Sequence, residues 1–318
     1  MPKATTLTAG IDTSKDKLDV AIHGQSGSFT VANTAQGWAS LAARLASAKV
    51  RQVGIEATGG YQRGAARHLQ AAGFAVVTLQ PLQVKAFAMM RLQRAKSDRI
   101  DAALIAAVTH LLGTGHKQPA DPRFDPLQDH LTFIEQVEED IVRIKTQLEH
   151  IEDARLRRIR LADIKRLAER RANELKRLIA ALRGHDDLAR RFDLVLSIPA
   201  IGERTAVSLI VRMPELGQVS REEAAAIAGL APFVRQSGQQ QGETHIGGGR
   251  ARVRRALFMP AMVGAFLWNS PLKALYSRLT ARGKPPKSAL VACARKLLIM
   301  ANAVLARGTP WEDRTAPA

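Results

Sequence analysis

The chain has 318 residues, 46% of them hydrophobic, and a net charge of +18. The apolar share is that of a chain with packed cores and excludes a disordered protein, and the length allows two or three domains. The surplus of Lys and Arg points to a polyanionic partner, because a basic surface gains by neutralising phosphates and releasing their counterions.

From the N-terminus inward, residues 1–6 offer no apolar signal core. The apolar stretch 257–268 contains Pro260 and is too short to span a bilayer. Cys293 is the only cysteine, which excludes a Cys-rich zinc site and an intrachain disulfide. The expectation is a protein of a reducing cytoplasm, without a membrane partner. Tyr61, Tyr276 and three Trp make few ring faces for a single-strand platform.

Residues 1–118 read as α/β. Short apolar runs at 7–11, 18–22 and 29–31, separated by Gly24 and Gly27, predict a meander of strands. Trp38, Leu41, Leu45 and Ala48 share a helical face. Residues 53–56 form a strand stopped by Gly59 and Gly60, a helix follows to residue 72, and 75–79 is a strand stopped by Pro81. Residues 97–112 predict a helix with Ile100, Leu104, Ala107 and Leu111 on one face. Strands first as a meander, then alternating with helices, imply a mixed sheet with helices packed on it.

Residues 119–189 are the second region. Pro119, Pro122 and Pro126 mark 119–126 as a linker. Val137, Ile141, Ile144, Leu148 and Ile151 follow coiled-coil spacing, and the pattern resumes at Ile164, Leu175, Leu178 and Leu182. With a break at 155–158, this predicts two long helices forming an antiparallel coiled-coil arm. Residues 190–308 read as a mainly α C-terminal domain, and 309–318 as a frayed tail.

Four acids stand out. Asp12 ends the first apolar run and Glu56 ends the fourth, where a carboxylate is costly to bury unless paired or bound to metal. Asp98 and Asp101 lie three apart on a helix and so share a face. Four carboxylates without His or Cys suit a hard cation, Mg²⁺ or Mn²⁺, that could act on a phosphodiester. The plainer reading is a solvated acid beside each strand, with Asp98 and Asp101 as a helix cap and first-turn charge. Arg91, Arg94, Lys96 and Arg99 beside them could hold a phosphate backbone, or could simply be a solvated face.

In the C-terminal domain, residues 196–206 read as a helix-hairpin-helix, with Ala200 where the first hairpin glycine is usual. Ser237 lies between Gln236 and Gly238 in a Gln- and Gly-rich loop, beside Arg235. Gly247, Gly248 and Gly249 lead into Arg250, Arg252, Arg254 and Arg255, candidate phosphate ligands or a solvated helix start. His245 is a possible proton carrier, although a lone loop histidine is more often neither catalyst nor ligand.

Taken in order, several segments resemble one family: Gly10-Ile-Asp, Ile55-Glu-Ala-Thr-Gly-Gly-Tyr, Lys96-Ser-Asp-Arg-Ile-Asp-Ala, Ile198-Pro-Ala-Ile-Gly, Ala228-Gly-Leu-Ala-Pro, Arg235-Gln-Ser-Gly and Gly248-Gly-Arg-Ala-Arg-Val-Arg-Arg-Ala-Leu. The chain is similar over nearly its whole length to the DEDD transposases of insertion-sequence family one-ten. The resemblance implies a RuvC-like, ribonuclease H-type first domain with Asp12, Glu56, Asp98 and Asp101 as metal ligands. It implies that Ser237 attacks a DNA phosphodiester and becomes a covalent phosphoserine, with serine and metal site joined across two subunits. It further implies dimers pairing into tetramers, a structured guide RNA encoded by the element, and double-stranded donor and target DNA. Ala200 departs from the family pattern and puts backbone binding at that turn in doubt.

Three other readings remain open on sequence. A junction-resolving nuclease would use the metal site and water, with Ser237 a bystander. A basic nucleic-acid-binding protein would have no chemistry. A sugar kinase or actin-like ATPase also opens on Gly-Ile-Asp, but clear Gly-rich phosphate loops are absent and +18 is unusual for a small-molecule enzyme.

Overall fold

The computed structural model describes residues 7–92, 98–113, 121–233, 236–237, 240–241 and 245–313. Arg94, Lys96 and Arg235 lie outside the described residues, as do the side chains of Asp98, Arg99 and Ser237. The chain divides into two compact units, Met1–Pro122 and Arg123–Ala318.

The first unit is built on a five-stranded mixed sheet in the order β3-β2-β1-β4-β5. Strands β1 (Leu7–Thr13), β2 (Lys17–Ile22) and β3 (Ser28–Ala32) form the expected antiparallel meander. Helix α1 (Ala35–Ser47) then crosses to β4 (Val50–Glu56), parallel to β1, and α2 (Gln62–Ala71) crosses to β5 (Ala75–Leu79), parallel to β4. Alternation sorts the strand residues onto two faces. Ala9, Ile11, Val53 and Ile55 pack with Leu41 and Leu45 of α1 and Ala65 and Leu69 of α2. The opposite face carries Gly10, Asp12, Gln52, Gly54 and Glu56, and α4 (Asp98–Leu112) covers it.

One helix of this unit escapes the sequence pattern. Pro81 does not end structure after β5; it opens α3 (Pro81–Met90), with Gln80 and Gln83 forming a reciprocal capping box. Proline at the first helical position has no hydrogen bond to lose and is already set at the right φ.

In the second unit, α5 (Phe124–Leu148) and α6 (Ala154–Arg183) run antiparallel. His130 of α5 meets Glu174 of α6 at 2.9 Å, while Arg157, near the start of α6, donates to the carbonyl of Leu148, at the end of α5. Two boundaries differ from the sequence expectation. The prolines extend the expected linker to residue 126, yet α5 already starts at Phe124, because Pro126 in the first turn costs no intrahelical bond. The break falls at residues 149–153 and not at 155–158. Asp153 caps α6 by accepting from the Leu156 N–H at 2.8 Å, and Arg157 satisfies the Leu148 and Ile151 carbonyls. The arginine run is a helix start that closes the preceding turn.

Among the described residues, seven further helical segments follow: α7 (Asp186–Leu196), α8 (Glu203–Arg212), α9 (Arg221–Ile227), α10 (Ala251–Val263), a π-helical turn (Gly264–Trp268), α11 (Ser270–Ala281) and α12 (Pro286–Arg307). Their apolar faces share one core with the base of the α5–α6 pair, where Leu131, Ile134, Leu178 and Leu182 meet Phe192, Ile210, Leu257 and Leu297. Helix α12 is long and apolar enough to cross a membrane by length and composition, which the sequence reading of 257–268 overlooked. Its Leu290, Cys293, Leu297, Leu298, Ala301 and Val304 belong to this core. Burial pushes the Cys293 thiol up to about 11, so it stays protonated.

Candidate functional site

The strand register places the acids of the first unit. Gly10 pairs with Gly54 and Ile11 with Ile55 in the parallel β1–β4 ladder, so Asp12 and Glu56 leave neighbouring strands at the same end. Both lie two residues beyond a glycine and therefore on the same face as those glycines. The glycines explain how α4 reaches that face. A Cβ on Gly10 would stand 2.1 Å from the Ala106 nitrogen, and one on Gly54 would stand 1.8 Å from Thr109 Oγ1. The helix backbone thus rests directly on the sheet. Ala102 and Ala106 lie over Gly10, Thr109 over Gly54, and the Gly113 carbonyl accepts from Gln52 Nε2 at 2.8 Å. Helix α4 therefore runs antiparallel to β1 and β4, and its first turn, with Asp98 and Asp101, starts at the end where Asp12 and Glu56 stand.

Asp12, Glu56 and Asp101 are half-buried. Among the described residues, no three His, Cys, Asp or Glu side chains come close enough together to hold a metal ion, and the Asp98 side chain is outside that set. The donor chemistry fits a hard cation, since all four candidates are carboxylates. The sequence reading gave Asp19 no role, yet it stands directly across from Asp12 in the β1–β2 ladder. It is 7% exposed, pairs with Lys17 at 3.0 Å and accepts from Thr30 Oγ1 at 2.5 Å. The cross-strand register that brings it there is not visible from alternation along either strand alone.

The loop after Glu56 is also tied to this end. Gly59 and Gly60 have φ of 59° and 99°, which glycine adopts without strain. Gln62 Oε1 accepts from the Thr58 and Gly60 N–H groups. Asn33 donates to the carbonyls of Ser14 and Tyr61, linking this loop to the β1–β2 turn.

In the second unit, Ser237 lies in one of two short two-stranded ladders. Strand β6 (Pro232–Phe233) pairs with β9 (His245–Ile246), and β7 (Gln236–Ser237) pairs with β8 (Gln240–Gln241). Ser237 pairs with Gln240 in the second of these ladders. The segment is clamped at its base. Arg254 Nη1 donates to the Gly248 carbonyl at 2.9 Å and reaches those of Ala228 and Gly229 at 3.4 Å. The Arg250 N–H donates to the Ile227 carbonyl at 2.7 Å. A Cβ on Gly249 would stand 2.3 Å from the Gly229 nitrogen, so the two glycine segments touch backbone to backbone. His245 is on β9, in register with Phe233.

The arginines after the glycines are differently employed. Arg252 shares the buried carboxylate of Glu135 with Arg212, and Arg204 binds Glu138. Arg250 meets Glu215 at 2.5 Å, and exposed Arg255 meets Glu139 at 3.3 Å. Burial pulls the Arg212 guanidinium below its usual value, while Glu135 raises it. Arg212, Arg250 and Arg252, with Gln128, line a cleft of about 390 Å³. Each of the three arginines is paired with a carboxylate, Arg212 and Arg252 with Glu135 and Arg250 with Glu215, and Arg212 was not legible as part of the cleft. Arg254 supports the hairpin base.

The residue-196–206 hairpin forms as α7, turn and α8. Ala200 takes φ 81°, the left-handed region where glycine is usual, and Asn269 Nδ2 donates to the Pro199 carbonyl at 3.1 Å.

Comparison with known proteins adds the family. A model described as "Transposase", of the IS110 DEDD type, matches residues 9–153, and one described as "Transposase IS116/IS110/IS902 family" matches residues 192–277. Two relatives named pilin gene-inverting protein, from Moraxella bovis and Moraxella lacunata, are each 26% identical over 314 residues, covering 96% of this chain and 97% of the relative. The chain belongs to the IS110 family of transposases and is a DNA transposase/recombinase.

Proposed function

We propose that this transposase cuts and rejoins DNA through a covalent bond between Ser237 and a DNA phosphate. Asp12, Glu56, Asp98 and Asp101 would hold Mg²⁺ or Mn²⁺ in a RuvC-like, ribonuclease H-type domain of residues 1–118. The observation that supports this reading is that β1 and β4 end side by side, with Asp12 and Glu56 at the same end of the sheet as the start of α4.

The serine Oγ–P bond forms as one P–O bond of the backbone breaks. The serine loses its proton, and the departing sugar oxygen gains one. Rejoining reverses the exchange with a new sugar hydroxyl, so bond energy is kept in the phosphoserine and no external energy source is needed. A bound hard cation would stabilise charge on the phosphate and sugar oxygens. The protein's own share is to hold the acids on a rigid sheet, to present Ser237 on a short strand, and to bind phosphates. Arg94, Lys96 and Arg99 would do this beside the acids, and Arg235, Arg250, Arg252 and Arg255 beside the serine.

The partners in this reading are double-stranded donor and target DNA and a structured guide RNA. The charge of +18 supports two polyanions better than one. Residues 119–189, linker and arm, would pair subunits into dimers and then tetramers. Val142, Leu156, Ile159 and Leu161 are exposed on α5 and α6, which favours self-association. Residues 190–308 would form the C-terminal transposase domain, with 309–318 as its tail. The place of action would be the bacterial cytoplasm, at the nucleoid.

Ser237→Ala is expected to abolish strand cleavage while DNA and RNA binding stay intact. A gel-based cleavage assay checks this, and full cleavage by the variant would remove the serine from the reaction.

A further inference from the structure

We propose that the cleft between the β2–β3 turn and α4 is a slot for one unpaired nucleotide, separate from the carboxylate end of the sheet. The inference rests on the reading that this protein handles nucleic acid. The His23 N–H donates to the Thr8 carbonyl at 2.8 Å, so the cleft flanks the start of β1. Asp12 is four residues further on, roughly 13 Å along the strand.

The cleft holds about 400 Å³, within the usual range for small-ligand sites. Its floor is small and apolar: Ala21 from β2, with Ala103 and Ala107 from α4. Its wall is the His23 ring, backed by His110 at a centroid distance of 4.3 Å with the planes 25° apart. Desolvation, with His110 and Arg91 nearby, lowers the His23 pKa from 6.5, so at neutral pH the ring is an uncharged stacking face. Gln25 and Ser28 at the rim can meet the polar edge of a base. Arg91 completes the lining, its guanidinium 4.9 Å from the Phe87 ring centroid. No carboxylate lines the cleft among the described residues, and none of them pairs with Arg91.

A flat apolar floor and an aromatic wall suit the face of a base, polar side chains suit its edge, and an unpaired guanidinium suits its phosphate. An anion alone would have no use for the alanine floor, and a duplex does not fit the volume. The poverty of Tyr and Trp elsewhere does not count against this slot, because the stacking face is an imidazole.

The test is binding of adenosine 5′-monophosphate to the full chain, followed by calorimetry and by the His23 and His110 ring signals in NMR. The nucleotide is expected to bind and to shift both rings. Ala103→Leu, which fills the exposed floor without removing a polar group, is expected to abolish binding, and Arg91→Gln to weaken it at least about fivefold, the loss of one exposed charge-assisted contact. Tighter binding of the ribonucleotide than of its 2′-deoxy form would assign the slot to RNA, and the reverse to DNA; either supports it. Absence of binding, equal binding of inorganic phosphate, or unchanged binding by Ala103→Leu would overturn it. The two readings fail separately. Cleavage by Ser237→Ala sinks the serine chemistry and leaves the slot standing, whereas a cleaving protein that ignores the nucleotide does the reverse.

Discussion

The carboxylate end of the first unit and the serine hairpin of the second are held by opposite means. Asp12 and Glu56 sit on strands buried on both faces, with α4 packed so closely that two glycines leave no room for a methyl group. Ser237 sits on a pair of two-residue strands, and among the described residues the segment is held at its base by Arg254 and by glycine-to-glycine contact. Sheets covered on both sides hold their side chains rigidly, whereas a short two-stranded ribbon is marginal in water.

Substitutions can break or sharpen this contrast, and the largest effect is expected at the rigid end. Asp12→Asn keeps the shape of the strand and removes a charge. It is expected to lower Mg²⁺-dependent cleavage by about 10³-fold, the equivalent of several kcal/mol of transition-state stabilisation, with little change in melting temperature. Unchanged cleavage rates across a magnesium titration would remove Asp12 from the metal site. Gly10→Ala tests the rigidity itself. The new methyl group meets the α4 backbone at Ala106, so a loss of about 3 kcal/mol is expected in denaturant unfolding of the first unit, with loss of cleavage. A stability equal to the parent would mean that α4 can move away freely.

The hairpin should respond more mildly. Arg254→Ala removes the donor to three carbonyls and is expected to lower stability by only about 1–2 kcal/mol while slowing cleavage. Faster amide exchange confined to residues 228–250 would locate the effect, and exchange unchanged there would deny Arg254 its clamping role. The smallest effect is expected at Ala200, whose left-handed backbone is strained. Ala200→Gly relieves about 1 kcal/mol of strain and gives back part of it to unfolded-chain entropy, so a net gain near 0.5 kcal/mol is expected in thermal unfolding. A loss would show that the Ala200 methyl group packs usefully in the turn.

Much of the rigid end was legible. Short apolar runs bounded by Gly and Pro pointed to all five strands of the sheet, and the position of Asp12 and Glu56 at strand ends followed from them. What could not be read was α4 lying across Gly10 and Gly54, since that depends on which strands are neighbours. The α3 helix was hidden because Pro81 signals a stop after a strand and a start before a helix, and only the Gln80–Gln83 cap decides. The turn at 149–153 was masked by the arginines after it, whose role in satisfying the carbonyls of α5 depends on tertiary geometry. At the hairpin, the serine was visible only through resemblance. The two jobs of neighbouring arginines, Arg254 on backbone carbonyls and Arg252 on Glu135, cannot be told apart by spacing.

The central claim is that Ser237 becomes bonded to DNA and that the carboxylates of the first unit serve that step. The most direct measurement is mass spectrometry of proteolysed reaction mixtures containing Mg²⁺ and cognate DNA. The expected result is a nucleotide-modified peptide with the modification on Ser237, present in the parent protein and lost in Asp12→Asn. Cleaved DNA with no covalent adduct would contradict it and leave water as the nucleophile.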